Sequence, residues 1–147
     1  MNNPNITKAL GAGVAGTVAM TLMAMAAPMT GMPEMNIPKM LGNFMGVPVA
    51  VGWIAHFMIG TVLAIGYASM FVTKLPGSPA LKGILFALIP WFMAQIIINP
   101  MMGAGVFALN TDAPLMMVMG SLIGHIVYGA VLGLVYGSAS QPKAVTA

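Results

Sequence analysis

The sequence has no cysteine and no arginine, and five lysines and two carboxylates are its only formally charged side chains. Without cysteine, disulfides, thiolate metal sites and thiol nucleophiles are excluded. The lysines are scattered at the ends of apolar runs and form no nucleic-acid patch. The two carboxylates, Glu34 and Asp112, lie far apart in the chain and outside those runs. There is no nucleophile–base pair, phosphate-binding loop, dinucleotide fingerprint or zinc motif. The sequence therefore reads as a non-enzyme. With no acidic residue or arginine in an apolar run, it also argues against an ion-driven pump.

Charge is scarce enough to fix the solvent. Only 5% of the 147 residues are charged and 59% are hydrophobic, whereas soluble domains average about a quarter charged. The bilayer is the expected solvent, and each crossing takes roughly 20 apolar residues. Four stretches qualify, about 9–27, 49–72, 80–98 and 115–136. None alternates apolar with polar residues as a barrel strand would, so the spans are helices. The expected fold is an all-α integral membrane protein, one four-helix transmembrane domain over 1–147. Lys8, Lys74, Lys82 and Lys143 fall on one side and only Lys39 on the other. By the positive-inside rule both termini are cytoplasmic. Lys8, the first apolar run and Ala24-Met25-Ala26 also look like a secretory signal, but its removal would leave the third helix without a counterpart.

What the chain does contain is a stretch that occurs twice. Val49–Lys74 matches Val118–Lys143 without gaps at nine of twenty-six positions, among them His56/His125, Gly60/Gly129, Tyr67/Tyr136, Ser69/Ser138 and Lys74/Lys143. Pro28-Met29-Thr30-Gly31 likewise parallels Pro100-Met101-Met102-Gly103. Two hairpins of the same direction, about 8–74 and 80–143, make tandem parallel repeats around an axis normal to the membrane and imply a compact bundle. Between the first two spans, Ile37, Met40, Leu41, Phe44 and Met45 follow the helical i, i+3, i+4 pattern, which predicts a short amphipathic helix lying in the outer interface. Helix 1 should stop at Pro28, helix 3 should kink at Pro90 and end at Asn99-Pro100, and Thr111 or Asp112 should cap helix 4.

His-Phe-Met-Ile-Gly-Thr (56–61), Leu-Pro-Gly-Ser-Pro with Lys82-Gly83, and His-Ile-Val-Tyr-Gly-Ala-Val-Leu-Gly (125–133) resemble a family of small bacterial four-helix membrane proteins. That family is catalogued only as a domain of unknown function. The resemblance covers most of the chain and implies the four-helix bundle. It carries over no chemistry.

Three groups of residues carry what chemistry there is. His56 and His125 each have a glycine four residues on, Gly60 and Gly129, and a small residue four before, Gly52 and Ser121. Such a row leaves room beside an imidazole, and two facing rows suit bis-histidine ligation of haem b. The bland alternative is close helix packing along Gly60-Ala64-Ala68 and Gly129-Gly133-Gly137, with each histidine a hydrogen-bonded strut. Second, fifteen of seventeen methionines sit in the outer half, including Met29, Met32 and Met35. Thioethers select Cu(I), although methionine also fills irregular gaps. Third, Thr21, His56, Gln95, Ser121 and His125 fall at similar depth, as a site for a quinone head group or a cofactor edge, or as a self-satisfied network. The expected function is a haem-binding electron-transfer or accessory subunit. The alternatives are a Cu(I)-handling protein and a structural subunit, with lipid, a larger membrane complex or a second copy as partners.

Overall fold

In a computed structural model of the chain, residues 4–137 are described, and all regular structure among them is helical. Ser138 and Lys143, two of the positions matched in the repeat, lie outside the described residues. Helix α1 spans Ile6–Ala26 and is prolonged by a 3-10 turn, Ala27–Thr30. Helix α2 is Ile37–Met45. Helix α3, Val49–Gly66, widens into a π turn at Tyr67–Phe71. Helix α4, Pro79–Met93, widens likewise at Ala94–Ile98 and adds a last turn at Asn99–Met101. Helix α5 is Pro114–Gly137. Four continuous helical stretches, Ile6–Thr30, Val49–Phe71, Pro79–Met101 and Pro114–Gly137, are 25, 23, 23 and 24 residues long. At about 1.5 Å per residue each covers a hydrocarbon core of roughly 30 Å.

The helix starts follow from short polar side chains and prolines. Asn5, Asn36 and Ser78 each accept a hydrogen bond from the backbone N–H three residues on, at Lys8, Lys39 and Leu81. Pro38 and Pro79 occupy first-turn positions, where a missing N–H costs nothing. Pro28 and Pro100 fall in the last turns of the continuous stretches Ile6–Thr30 and Pro79–Met101, so each helix ends one or two residues past its proline. The Thr111 hydroxyl donates back to the carbonyl of Ala108, 2.7 Å away.

Helix α5 is central, packed along α4 on one side and α1 on the other; α1 packs in turn on α3, and α2 lies against α3. The order in space is thus α4, α5, α1, α3. Contact between α3 and α4 is concentrated where the π turn Tyr67–Phe71 meets α4. Lys8, Lys74 and Lys82 mark this as the lysine end; α2 and the 102–113 connection mark the opposite, α2 end.

Glycines set the close approaches, because lipid supplies no hydrophobic drive between helices. A Cβ on Gly83 would collide with the Gly129 carbonyl, and one on Gly133 with the Pro79 carbonyl. A Cβ on Gly13 would stand 2.9 Å from the Gly60 oxygen. In α1, Ala12 and Gly16, four residues apart, are buried, whereas a Cβ on Gly11 would meet nothing. Below these contacts the lysine half is filled by Tyr67, Phe86, Leu132 and Tyr136, with Tyr67 and Tyr136 edge to face at 5.9 Å. That half is solid.

Candidate functional site

The α2 half is hollow. A cavity of about 890 Å³ lies between the helices there. Its wall includes ten methionines together with His56, Ser121, His125 and Tyr128. The methionines gather at this end because unbranched thioethers can line an irregular void without a fixed packing partner. A separate chamber of about 220 Å³ sits between α1, the 31–36 connection and α3, and His56, Met20 and Met35 line both spaces.

Both histidines reach the main cavity, but their hydrogen bonds differ. His125 Nδ1 is 2.8 Å from the backbone carbonyl of Ser121. A carbonyl only accepts, so Nδ1 carries the hydrogen and Nε2 is left as a lone pair. His56 instead places Nε2 3.0 Å from the Thr21 hydroxyl. That hydroxyl donates its single hydrogen to the Thr17 carbonyl at 2.7 Å. His56 Nε2 must therefore be the donor, and its lone pair is on Nδ1. Trp53 and Phe57 hold the His56 ring at centroid distances of 6.5 and 6.0 Å.

The polar layer expected from the sequence is present as two separate networks. One runs Thr17, Thr21, His56. In the other, Asn99 Nδ2 donates to Gln95 Oε1 at 2.9 Å, and Gln95 Nε2 donates to Ser121 Oγ at 3.2 Å. The Ser121 carbonyl then takes the His125 hydrogen. Gln95 is fully buried where α4 widens into its π turn, the kind of local irregularity often found at functional sites.

Asn99, Tyr128 and Thr17 were not singled out in the sequence. Asn99 is one turn after Gln95, a spacing at which amide side chains meet, so that partner was within reach. Tyr128 was not, because its hydroxyl crosses to the Gly60 carbonyl, 2.6 Å away on another helix.

The remaining expected site residues divide. Gly60 lines the cavity and Gly129 does not; a Cβ on Gly60 would strike the Thr17 hydroxyl, and one on Gly129 the Gly83 carbonyl. Both belong to helix contacts. Met32 and Met35 line the cavity and press into the notch left by Gly120, with the Met35 sulfur 2.9 Å from where its Cβ would stand. Met29 is 89% exposed and lines neither space. No group of three or more His, Asp or Glu side chains able to hold a metal ion occurs among the described residues.

Four helices long and apolar enough to cross a membrane, joined by short connections, define the class: a multi-pass, all-helical membrane protein. The chain belongs to the family described as "Family of unknown function (DUF6789)", whose profile matches residues 3–146. No curated protein and no solved structure matches it.

Proposed function

We propose that this chain is a non-enzymatic membrane protein that holds a flat, largely apolar, metal-bearing ligand in its α2-end cavity, with haem b the leading candidate and electron transfer or an accessory role as its use. One observation carries the reading: His125 directs its hydrogen to the Ser121 carbonyl, which leaves an Nε2 lone pair at a cavity that it lines. Metal-ligating histidines are typically fixed in this way by the bond of the other nitrogen. The Tyr128 hydroxyl already donates to the Gly60 carbonyl, and ten thioethers line the wall, a soft lining that suits a metal-bearing ligand. The cavity volume, about 890 Å³, falls in the range of ligand pockets, about 300–1,000 Å³, and far exceeds what a bare ion needs. His56 enters as a neighbour rather than as a second axial ligand, since its Nε2 is engaged by Thr21.

The same reading extends to the frame. Gly13 meets Gly60 in the first hairpin, Gly83 meets Gly129 in the second, and Tyr67 meets its counterpart Tyr136. These equivalences support tandem parallel repeats. Helix α2 lies in the interface, its apolar side against α3. By the positive-inside rule the lysines support cytoplasmic termini, and our reading of the membrane is the inner membrane of a bacterial cell.

Absorption spectra of the detergent-purified chain after haem supply test the site. The expected result is a haem band that His125→Ala loses and His56→Ala keeps. No band in the wild type, or equal loss in both variants, sinks this assignment. The gap between α3 and α4 supports a second reading, a subunit that packs against a larger membrane complex, which native co-purification would reveal.

A further inference from the structure

Most side-chain hydrogen-bond donors around the main cavity are already engaged. Thr17, Thr30 and Tyr128 line it, and their hydroxyls donate to the carbonyls of Gly13, Ala27 and Gly60. His56 donates from Nε2 to Thr21, and His125 from Nδ1 to the Ser121 carbonyl. Two more polar side chains line the cavity, Asn99 and Ser121. Both are tied to Gln95, which is buried and does not line it. Gln95 Oε1 takes one hydrogen of the Asn99 amide, and Gln95 Nε2 gives one to Ser121 Oγ. A side-chain amide carries two N–H hydrogens and a hydroxyl carries one. One Asn99 hydrogen and the Ser121 hydroxyl hydrogen are therefore left over, since neither side chain makes another hydrogen bond among the described residues.

We propose that Asn99 and Ser121 bind a carboxylate edge of the cavity's guest, so that the site selects a macrocycle with acid side chains, such as the propionates of haem b. This inference rests on the haem reading of the cavity. A carboxylate only accepts hydrogen bonds, and the Asn99 amide and the Ser121 hydroxyl hold the side-chain hydrogens left to give. Bonds to an ionised acceptor are roughly twice as strong as neutral ones. Position in the chain points the same way. Asn99 is one turn past Gln95 on α4, and Ser121 one turn before His125 on α5. Both therefore stand nearer the α2 end than Gln95 and His125 do. A charged group costs least toward the end of a span and most at its centre. The guest would thus sit with its acid edge toward the α2 end and its ring beside His125. Gln95 is a positioning residue: its two bonds hold both donors on one part of the wall, and it does not touch the guest.

The test is spectral titration of the detergent-purified full chain with two haems: haem b, and an analogue with the same ring and iron in which both propionates are replaced by ethyl groups. The wild type should bind haem b about tenfold or more tightly than the analogue. Ser121→Ala and Asn99→Leu should each weaken haem b by about tenfold. Each should leave the analogue within about twofold, because it has no oxygen to accept a bond. Comparing every variant with the wild type for both haems cancels their different partition into detergent. An unchanged analogue affinity also shows that the variant has kept its fold. Equal affinity of the wild type for the two haems overturns the proposal and leaves the haem reading standing. Equal weakening of both haems by the two variants overturns it as well, since the side chains would then only support the wall. Binding of neither haem removes the haem reading, and this proposal with it.

Discussion

On helix α5, Gly129 and Gly133 lie against the backbone of α4, while Gly120 and Gly124, nearer the α2 end, face only methionine side chains. The residue type and the four-residue spacing are the same. What lies opposite differs: carbonyls of Gly83 and Pro79 in one case, and Met20, Met23, Met32 and Met35 in the other. A small-residue row therefore does not specify contact by itself. It specifies that something may come close, and the facing helix decides whether that is backbone or a flexible chain beside a void.

The largest test of this difference compares alanines at the two ends. Gly129→Ala would drive a methyl into the Gly83 carbonyl and to 2.7 Å from Ala87 Cβ; a loss of about 3 kcal/mol or more is expected. Gly124→Ala would meet Met20 and Met23 atoms at 3.3–3.6 Å, and methionine can yield, so its cost should stay within about 1 kcal/mol. Thermal unfolding in detergent measures both; equal losses would erase the contrast.

A smaller effect is expected inside the hollow half. Gln95→Leu would remove the partner of both Asn99 and Ser121 and loosen the turn that orients His125. Haem affinity should fall about tenfold, as for other outer partners of ligating histidines, with the unfolding temperature little changed. Unaltered affinity in a titration would separate that network from the site. Smallest is Tyr128→Phe, which deletes the 2.6 Å bond to Gly60 that ties α5 to α3. A loss near 0.6 kcal/mol, the mean for such interhelical bonds, should appear as a slight drop in unfolding temperature.

The four spans were legible because lipid demands about twenty continuous apolar residues, and nothing else in the chain satisfies that demand. Helix α2 was legible from the spacing of Ile37, Met40, Leu41, Phe44 and Met45. The stops at Pro28 and Pro100 were legible to within two residues, because a proline late in a helix removes a hydrogen bond and crowds the preceding turn. The roles of Gly60 and Gly129 were ambiguous for the reason given above: the partner across the contact is not in the local sequence. The two histidines looked equivalent because their flanking residues match. They differ through Thr21, thirty-five residues from His56, and through Ser121, one turn before His125. A tautomer is decided by whichever oxygen lies within 3 Å, which no local pattern records.

The gap between α3 and α4 gives the main cavity a side opening. Met58 and Ile59 of α3, and Met93 and Ile98 beyond the Pro90 turn of α4, line the cavity and are also exposed on the outside of the bundle. The doorway faces acyl chains. A guest would arrive sideways from the leaflet, where an oily molecule is already concentrated by partitioning. Its occupancy would then follow its mole fraction in the membrane rather than its concentration in water. Diluting the purified protein with empty micelles should strip the guest at constant aqueous volume, and adding buffer alone should not.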